Sequence, residues 1–296
     1  MENYSDIFIN EIKQLPARRR AYLKDIAMHF EANIVLLFIP QRKMLTNQLS
    51  KVVELKLSEF KEKKNLVLIM NGPGGDAHAA EVIINSCRAH VKQINKSFST
   101  LVITNAMSAL TIIALGSDKI IMTNSSYLGP IDPIIFTPKF DNNGRPILLP
   151  NGEMMQESFP AYSLIQAYDN LKQEFKNDKN NQAVLMELSK FDPKMVEYIR
   201  QIFELSKDIA KKFLESGMFK NNKTKIEKVI EFFTNPKETK SHGRPLFASD
   251  NIEKGLEINI DIVAEGTDIW ETLQKLYLSA QFFTEANNAW IIESSE

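Results

Sequence analysis

A single cysteine, Cys87, stands in this chain of 296 residues. One thiol excludes an internal disulfide and any metal site built from several cysteines. It lies in Val82-Ile83-Ile84-Asn85-Ser86-Cys87, a stretch with helical spacing, and is expected to pack there as a small hydrophobe. Long apolar runs are missing as well. Asn33–Pro40 and Leu110–Leu115 are the longest, and both fall well short of the roughly 20 residues that cross a bilayer. No transmembrane segment is therefore expected. Met1-Glu2-Asn3-Tyr4-Ser5-Asp6 is polar and acidic, so no secretory leader is expected and a cytoplasmic location is. An excess of either charge is also absent. Lys+Arg number 36 and Asp+Glu 37, a formal net charge of -1, and no nucleic-acid face is expected. The basic clusters, Arg18-Arg19-Arg20 and Lys61-Glu62-Lys63-Lys64, read as solvated helix faces. No Gly-Lys-Ser/Thr phosphate loop and no His/Cys/Asp/Glu grouping at metal-ligand spacing occurs, so no cofactor or metal is expected.

Strand-like and helical segments alternate. Asn33–Ile39, Leu66–Met70, Ser99–Ile103 and Lys119–Met122 are continuous β-favouring runs, as in strands buried on both faces. Helical spacing separates them over Leu45–Phe60, Ala77–Ile94 and Ser108–Leu115. This alternation specifies an α/β fold with a parallel sheet. Ser5–Glu31 also has helical spacing, and Pro16 is expected to split it into two short helices. Phe140–Pro146, with Asn143-Gly144 at its centre, predicts a hairpin. Ser158–Phe219 reads as mostly helical, broken near Phe191-Asp192-Pro193, an insertion expected to pack over or beside the site. A strand over Leu256–Ile260 and an amphipathic helix over Thr267–Phe283 complete the reading. The helix face of Ile269, Trp270, Leu273, Leu276, Tyr277, Ala280 and Phe283 suits the chain's own core first and a subunit contact second.

Two strand ends carry the chemistry. Asn71-Gly72-Pro73-Gly74-Gly75 follows one buried run and Ala106-Met107-Ser108-Ala109-Leu110 another, and each opens a helix. Such junctions aim backbone N–H groups outward. Side by side in a parallel sheet, they would set amides beside a serine hydroxyl, an acyl-transfer site in outline. With Leu128-Gly129-Pro130-Ile131-Asp132-Pro133, these motifs resemble the Clp-protease/crotonase fold. Within it the chain is most similar to the serine dehydrogenase proteinase family, relatives of signal peptide peptidase A and the Clp proteolytic subunit. The resemblance covers Asn33–Pro133 and extends more weakly over Pro160–Lys172 and Ser241–Ile260.

The resemblance implies a serine peptidase acting on peptide or protein substrates, and a homo-oligomer. It places the nucleophile at Ser108 and the oxyanion donors at the amides of Gly74 or Gly75 and of Ala109. Leu110 departs from the small pair common after the serine, and is expected to narrow the pocket. Ser108 also fits a plain helix N-cap. A base must take the serine's proton. His242, in Ser241-His242-Gly243-Arg244-Pro245, is one candidate, and Lys139 and Lys172 are others, provided burial lowers their pKa. Asp132 is placed to orient a base or to stabilise the turn before Pro133. His29, His78 and His90 are expected to be structural or exposed. An acyl-CoA enzyme of the crotonase type and an inactive scaffold are the alternatives. The expected organisation is an N-terminal helical segment (1–32), a Clp/crotonase-like core (33–139), a hairpin and helical insertion (140–240) and a C-terminal part of the core with its terminal helix (241–296).

Overall fold

The computed structural model describes residues 4–92, 96–141, 143–220, 222–239 and 241–296. Helix α1 (Tyr4–Phe30) leads into β1 (Ala32–Phe38), α2 (Asn47–Glu59), β2 (Asn65–Gly72) and α3 (Ala77–Lys92). The alternation continues with β3 (Phe98–Ala106), α4 (Ala109–Leu115), β4 (Lys119–Thr123) and the two-residue β5 (Tyr127–Leu128). An antiparallel ribbon of β6 (Ile134–Pro138) and β7 (Gln156–Pro160) follows. Then come α5 (Ala161–Asn177), α6 (Gln182–Leu188), α7 (Pro193–Ser216), α8 (Lys223–Thr234) and α9 (Pro236–Thr239). Last are β8 (Leu246–Phe247), α10 (Ala248–Glu253), β9 (Ile260–Val263), α11 (Asp268–Asn287) and β10 (Ile291–Ser294).

The main sheet runs β10-β1-β2-β3-β4-β9, parallel from β1 to β9. Successive residues of a strand face opposite ways, and β1 shows why its run is apolar throughout. Ile34, Leu36 and Phe38 join Leu23 and Ile26 of α1 and Leu273, Leu276 and Ala280 of α11 on one face. Val35 and Leu37 join the buried residues of α2, α3, α4, α7 and α8 on the other. Each such side chain contributes about 1.5–3 kcal/mol on full burial. The α11 face expected to cover the chain's own core does so. Cys87 is fully buried, as its helical setting implied.

Two expectations change, the expected hairpin is extended, and one strand is added. Helix α1 is continuous, with Pro16 inside it. Proline removes one backbone bond, and the helix persists because its next turns are anchored. Arg19, 1% exposed, makes two bonds to Glu293 (3.0 and 2.6 Å), and Leu23 and Ile26 are sealed in the core. The last parallel strand begins at Ile260 rather than Leu256, because the Asn251 side chain satisfies both the N–H and the C=O of Ile258 (2.9 and 3.0 Å) before the ladder starts. The hairpin is a longer arm whose tip has two turns, closed by Asp141 N–H to Arg145 O and Leu149 N–H to Glu153 O, both 2.8 Å. The strand β10, antiparallel on β1, has no counterpart in the sequence reading.

The helical insertion divides in two. Ile209, Ala210, Phe213 and Leu214 of α7 belong to the main core, whereas Ala161 and Ile165 of α5 form a small cluster with Ile199 and Phe203 at the other end of α7. Asp192 caps α7 through Lys194 N–H (2.9 Å), with Pro193 in the first turn, which explains the break read there.

Candidate active site

The ends of β2 and β3 lie side by side and are tied together. Met107 N–H donates to Gly72 O (3.1 Å), and so does the Asn105 side chain (3.0 Å). The Asn105 N–H donates to the Asn71 side chain (3.3 Å), and both asparagines are buried. These bonds press the glycine turn against the serine turn. A Cβ on Gly74 would lie 2.4 Å from Met107 O, 2.8 Å from Ser108 Cβ and 3.0 Å from Ala109 N. Gly75 is pinned on its other side, against Leu45, with a Cβ position 2.5 Å from Leu45 N and O. Both glycines have positive φ, +95° and +146°.

Ser108 is strained. Its φ of 49° and ψ of -116° lie outside the ordinary regions for a side-chain-bearing residue. As the residue before α4 it occupies the N-cap position, yet its hydroxyl makes no cap bond, so the N-cap role is not used. Its side chain is half-buried. Among the described residues, the amides of Gly74, Gly75 and Ala109 have no acceptor. Leu110 turns into the core at 0% exposure, with its N–H on Met107 O (2.9 Å), and so does not narrow a pocket.

The acid and one candidate base meet. Asp132 Oδ1 is 2.9 Å from His242 Nδ1, and their side chains are 2% and 20% exposed. Neither residue is near the other in sequence, and β8 explains the meeting. Leu246 and Phe247 pair antiparallel with Leu128 and Tyr127, which brings the turn at 241–244 beside the loop that carries Asp132. The backbone of that loop is held from α8, through Ile131 N–H to Phe233 O (2.9 Å). Asp132 Oδ2 is buried with no hydrogen-bond partner among the described residues. A buried carboxylate with so little compensation favours the imidazole as its donor. Ser108 Oγ makes no hydrogen bond to a described residue, His242 included; the structure joins Asp132 to His242 and leaves Ser108 unlinked to them.

The two candidate lysines lie on α5 and just after the end of β6. Lys172 is exposed on α5, its Nζ 5.9 Å from the Tyr168 ring centre. Lys139 begins the tip of the arm, its N–H bonded to Met155 O (2.8 Å). His78 and His29 are exposed. His90 is a core residue at 7% exposure, beside Phe60 and 3.4 Å from Asn33 Nδ2, and burial lowers its pKa, with the Lys63 charge adding to the effect.

The sequence reading missed Thr111. Its hydroxyl, fully buried on α4, lies 2.7 Å from Ala106 O and 2.9 Å from Gly129 O, and accepts Gly129 N–H at 3.1 Å. A lone hydroxyl within Ala-Leu-Thr-Ile-Ile-Ala-Leu was the available signal. No group of three or more His, Cys, Asp or Glu side chains that could hold a metal occurs among the described residues. No helix among them is long and apolar enough to cross a membrane.

A parallel α/β sheet whose strand ends set a glycine turn against a strained serine is the arrangement of a ClpP-like fold. Residues 7–140, which span β1 to β6 and include Ser108 and Asp132, match the model of the ClpP-like SDH-type serine proteinases. Two proteins of Methanocaldococcus jannaschii are similar in sequence. The uncharacterized protein MJ1495 is 28% identical over 239 residues, covering 80% of this chain and 67% of the relative. The uncharacterized protein MJ0137 is 24% identical over 278 residues, covering 90% and 81%. Among solved structures, a mutant of the 1510-N membrane-bound stomatin-specific protease aligns with a TM-score of 0.43 and 19% identity. The alignment covers 82% of this chain and 84% of that one.

Proposed function

We propose that this protein is a serine peptidase in which Ser108 is the nucleophile, His242 the general base and Asp132 the residue that orients it. The observation that carries the reading is the 2.9 Å contact between His242 Nδ1 and the buried carboxylate of Asp132. That contact holds the proton on Nδ1 and leaves Nε2 free to take the serine proton. The link from Ser108 Oγ to Nε2 closes when substrate is bound, as catalytic hydrogen bonds are often long in a free enzyme. Attack of Oγ on the scissile carbonyl forms a tetrahedral oxyanion, for which the amides of Ala109 and of Gly74 or Gly75 are the donors. Imidazolium then protonates the leaving amine, and water, deprotonated by His242, releases the acyl group from Ser108.

A fluorophosphonate serine-hydrolase probe tests the assignment. Labelling is expected for the wild type, lost in Ser108→Ala and strongly reduced in His242→Ala and Asp132→Asn. Lys139→Ala and Lys172→Ala are expected to label as the wild type does. Loss of labelling in either lysine variant, with His242→Ala unaffected, would move the base to that lysine. A folded wild type that is never labelled would refute the hydrolase reading, and CoA-thioester binding would then be the next measurement.

A further inference from the structure

We propose that Thr111 is a positioning residue that sets the distance between the nucleophile turn and the acid–base pair; the inference rests on the serine-peptidase reading above. Thr111 sits three residues after Ser108, and Ala106, whose carbonyl is 2.7 Å from its hydroxyl, sits two before. The third segment at this hydroxyl is Gly129, three residues ahead of Asp132, bonded through both its N–H and its C=O (3.1 and 2.9 Å). Gly129 N–H also reaches Ala106 O directly, at 3.0 Å. One buried hydroxyl thus holds the end of β3, the first turn of α4 and the start of the Asp132 loop.

The chemistry of the group fits this role. A hydroxyl has one proton and two lone pairs, so it can donate to a carbonyl and accept an amide in one place. Valine has nearly the same shape and can do neither. In Thr111→Val the direct Gly129–Ala106 bond survives, but Gly129 O is left buried without its hydroxyl donor. The least costly relief is for the Gly129 loop to move, and that loop carries Asp132 and, through it, His242. Gly129 packs closely on Met107, the residue before Ser108: a Cβ there would lie 2.5 Å from the Met107 side chain and 3.2 Å from its backbone. Movement of the loop therefore changes its spacing from the Ser108 turn. Thr111 touches neither substrate nor proton and acts wholly through the spacing.

The test compares wild type, Thr111→Val and Thr111→Ser for fluorophosphonate labelling rate across pH, with the downfield ring N–H proton of His242 followed by NMR. Thr111→Val is expected to label slower by on the order of tenfold to a hundredfold, as for a small misplacement of reacting groups. Its pH profile and its His242 proton signal are expected to shift, and Thr111→Ser to restore all three. Labelling of Thr111→Val at the wild-type rate with an unshifted signal would overturn the inference. So would a Thr111→Ser variant as slow as Thr111→Val, because the hydroxyl would then not be the cause. If the wild type itself is unlabelled but Thr111→Val still shifts the His242 signal, the hydrolase reading fails and the spacing role stands.

Discussion

Replacing Gly74 with alanine should separate the fold from the chemistry. The new methyl would lie 2.4 Å from Met107 O, 2.8 Å from Ser108 Cβ and 3.0 Å from Ala109 N. Two of these neighbours are backbone and cannot rotate away. The φ of +95° adds strain for any L side chain, about 1–3 kcal/mol. Overpacking adds a further 1–3 kcal/mol or so, about 2–6 kcal/mol in all. A domain in the upper part of the usual range, about 5–15 kcal/mol of stability, still folds with that loss. The strain is relieved where the clash occurs, in the Met107-Ser108-Ala109 turn, and about 1 Å of displacement there costs about a hundredfold in rate. Urea denaturation followed by circular dichroism, with fluorophosphonate labelling of the same samples, measures both effects. Gly144→Ala is the control. Its φ is +75° but nothing lies within 4 Å, so it should lose only about 1–2 kcal/mol and label normally. Wild-type stability and labelling in Gly74→Ala would refute the close-approach argument.

Ser108→Gly removes the proposed nucleophile and also the strain of φ 49° and ψ -116°; it is expected to be more stable to urea than Ser108→Ala by about 1 kcal/mol. Burial holds the folded-state pKa of His90 below the ordinary value for a histidine, with Lys63 adding to the shift. The unfolded chain therefore takes up this proton at higher pH than the folded one. The stability involved is present above the unfolded value, about 6.5, and declines as pH falls below it. His90→Gln should flatten the dependence of the urea midpoint on pH between neutral and mildly acidic conditions, and an unchanged slope would count against the assignment. Burial pushes the Cys87 thiol far above its usual range, with Arg88 opposing only in part. Alkylation by iodoacetamide at mildly alkaline pH is expected to wait for unfolding, and rapid labelling of the native protein would contradict that burial.

Much of the central sheet was legible because burial on both faces writes itself as unbroken apolar runs: β1, β2, β3 and β4 fall within a few residues of those runs. The glycine turn and Ser108 were legible because a strand end feeding a helix demands particular residues. The base was not. His242 reaches Asp132 only through β5 and β8, two residues each, and a two-residue strand has no periodicity to read. Thr111 was missed for a related reason, since one hydroxyl in an apolar helix looks like a packing residue until its bond partners are placed. Pro16 shows the opposite error. A strong local rule predicted a break, and the docking of Arg19, Leu23 and Ile26 outweighed it.

The contact between Asp132 and His242 ties together positions 110 apart, with α5 to α9 between them. Closing so long a loop costs little more than closing one half as long, about 0.6 kcal/mol, but contacts of high sequence separation slow folding and form late. The nucleophile turn needs only the local β3–α4 unit and β2. Under the proposed chemistry, a partly folded chain would have its serine in place but no base to activate it. Proteolytic competence would then report completed folding, a safeguard that operates by the timing of assembly and needs no inhibitory segment.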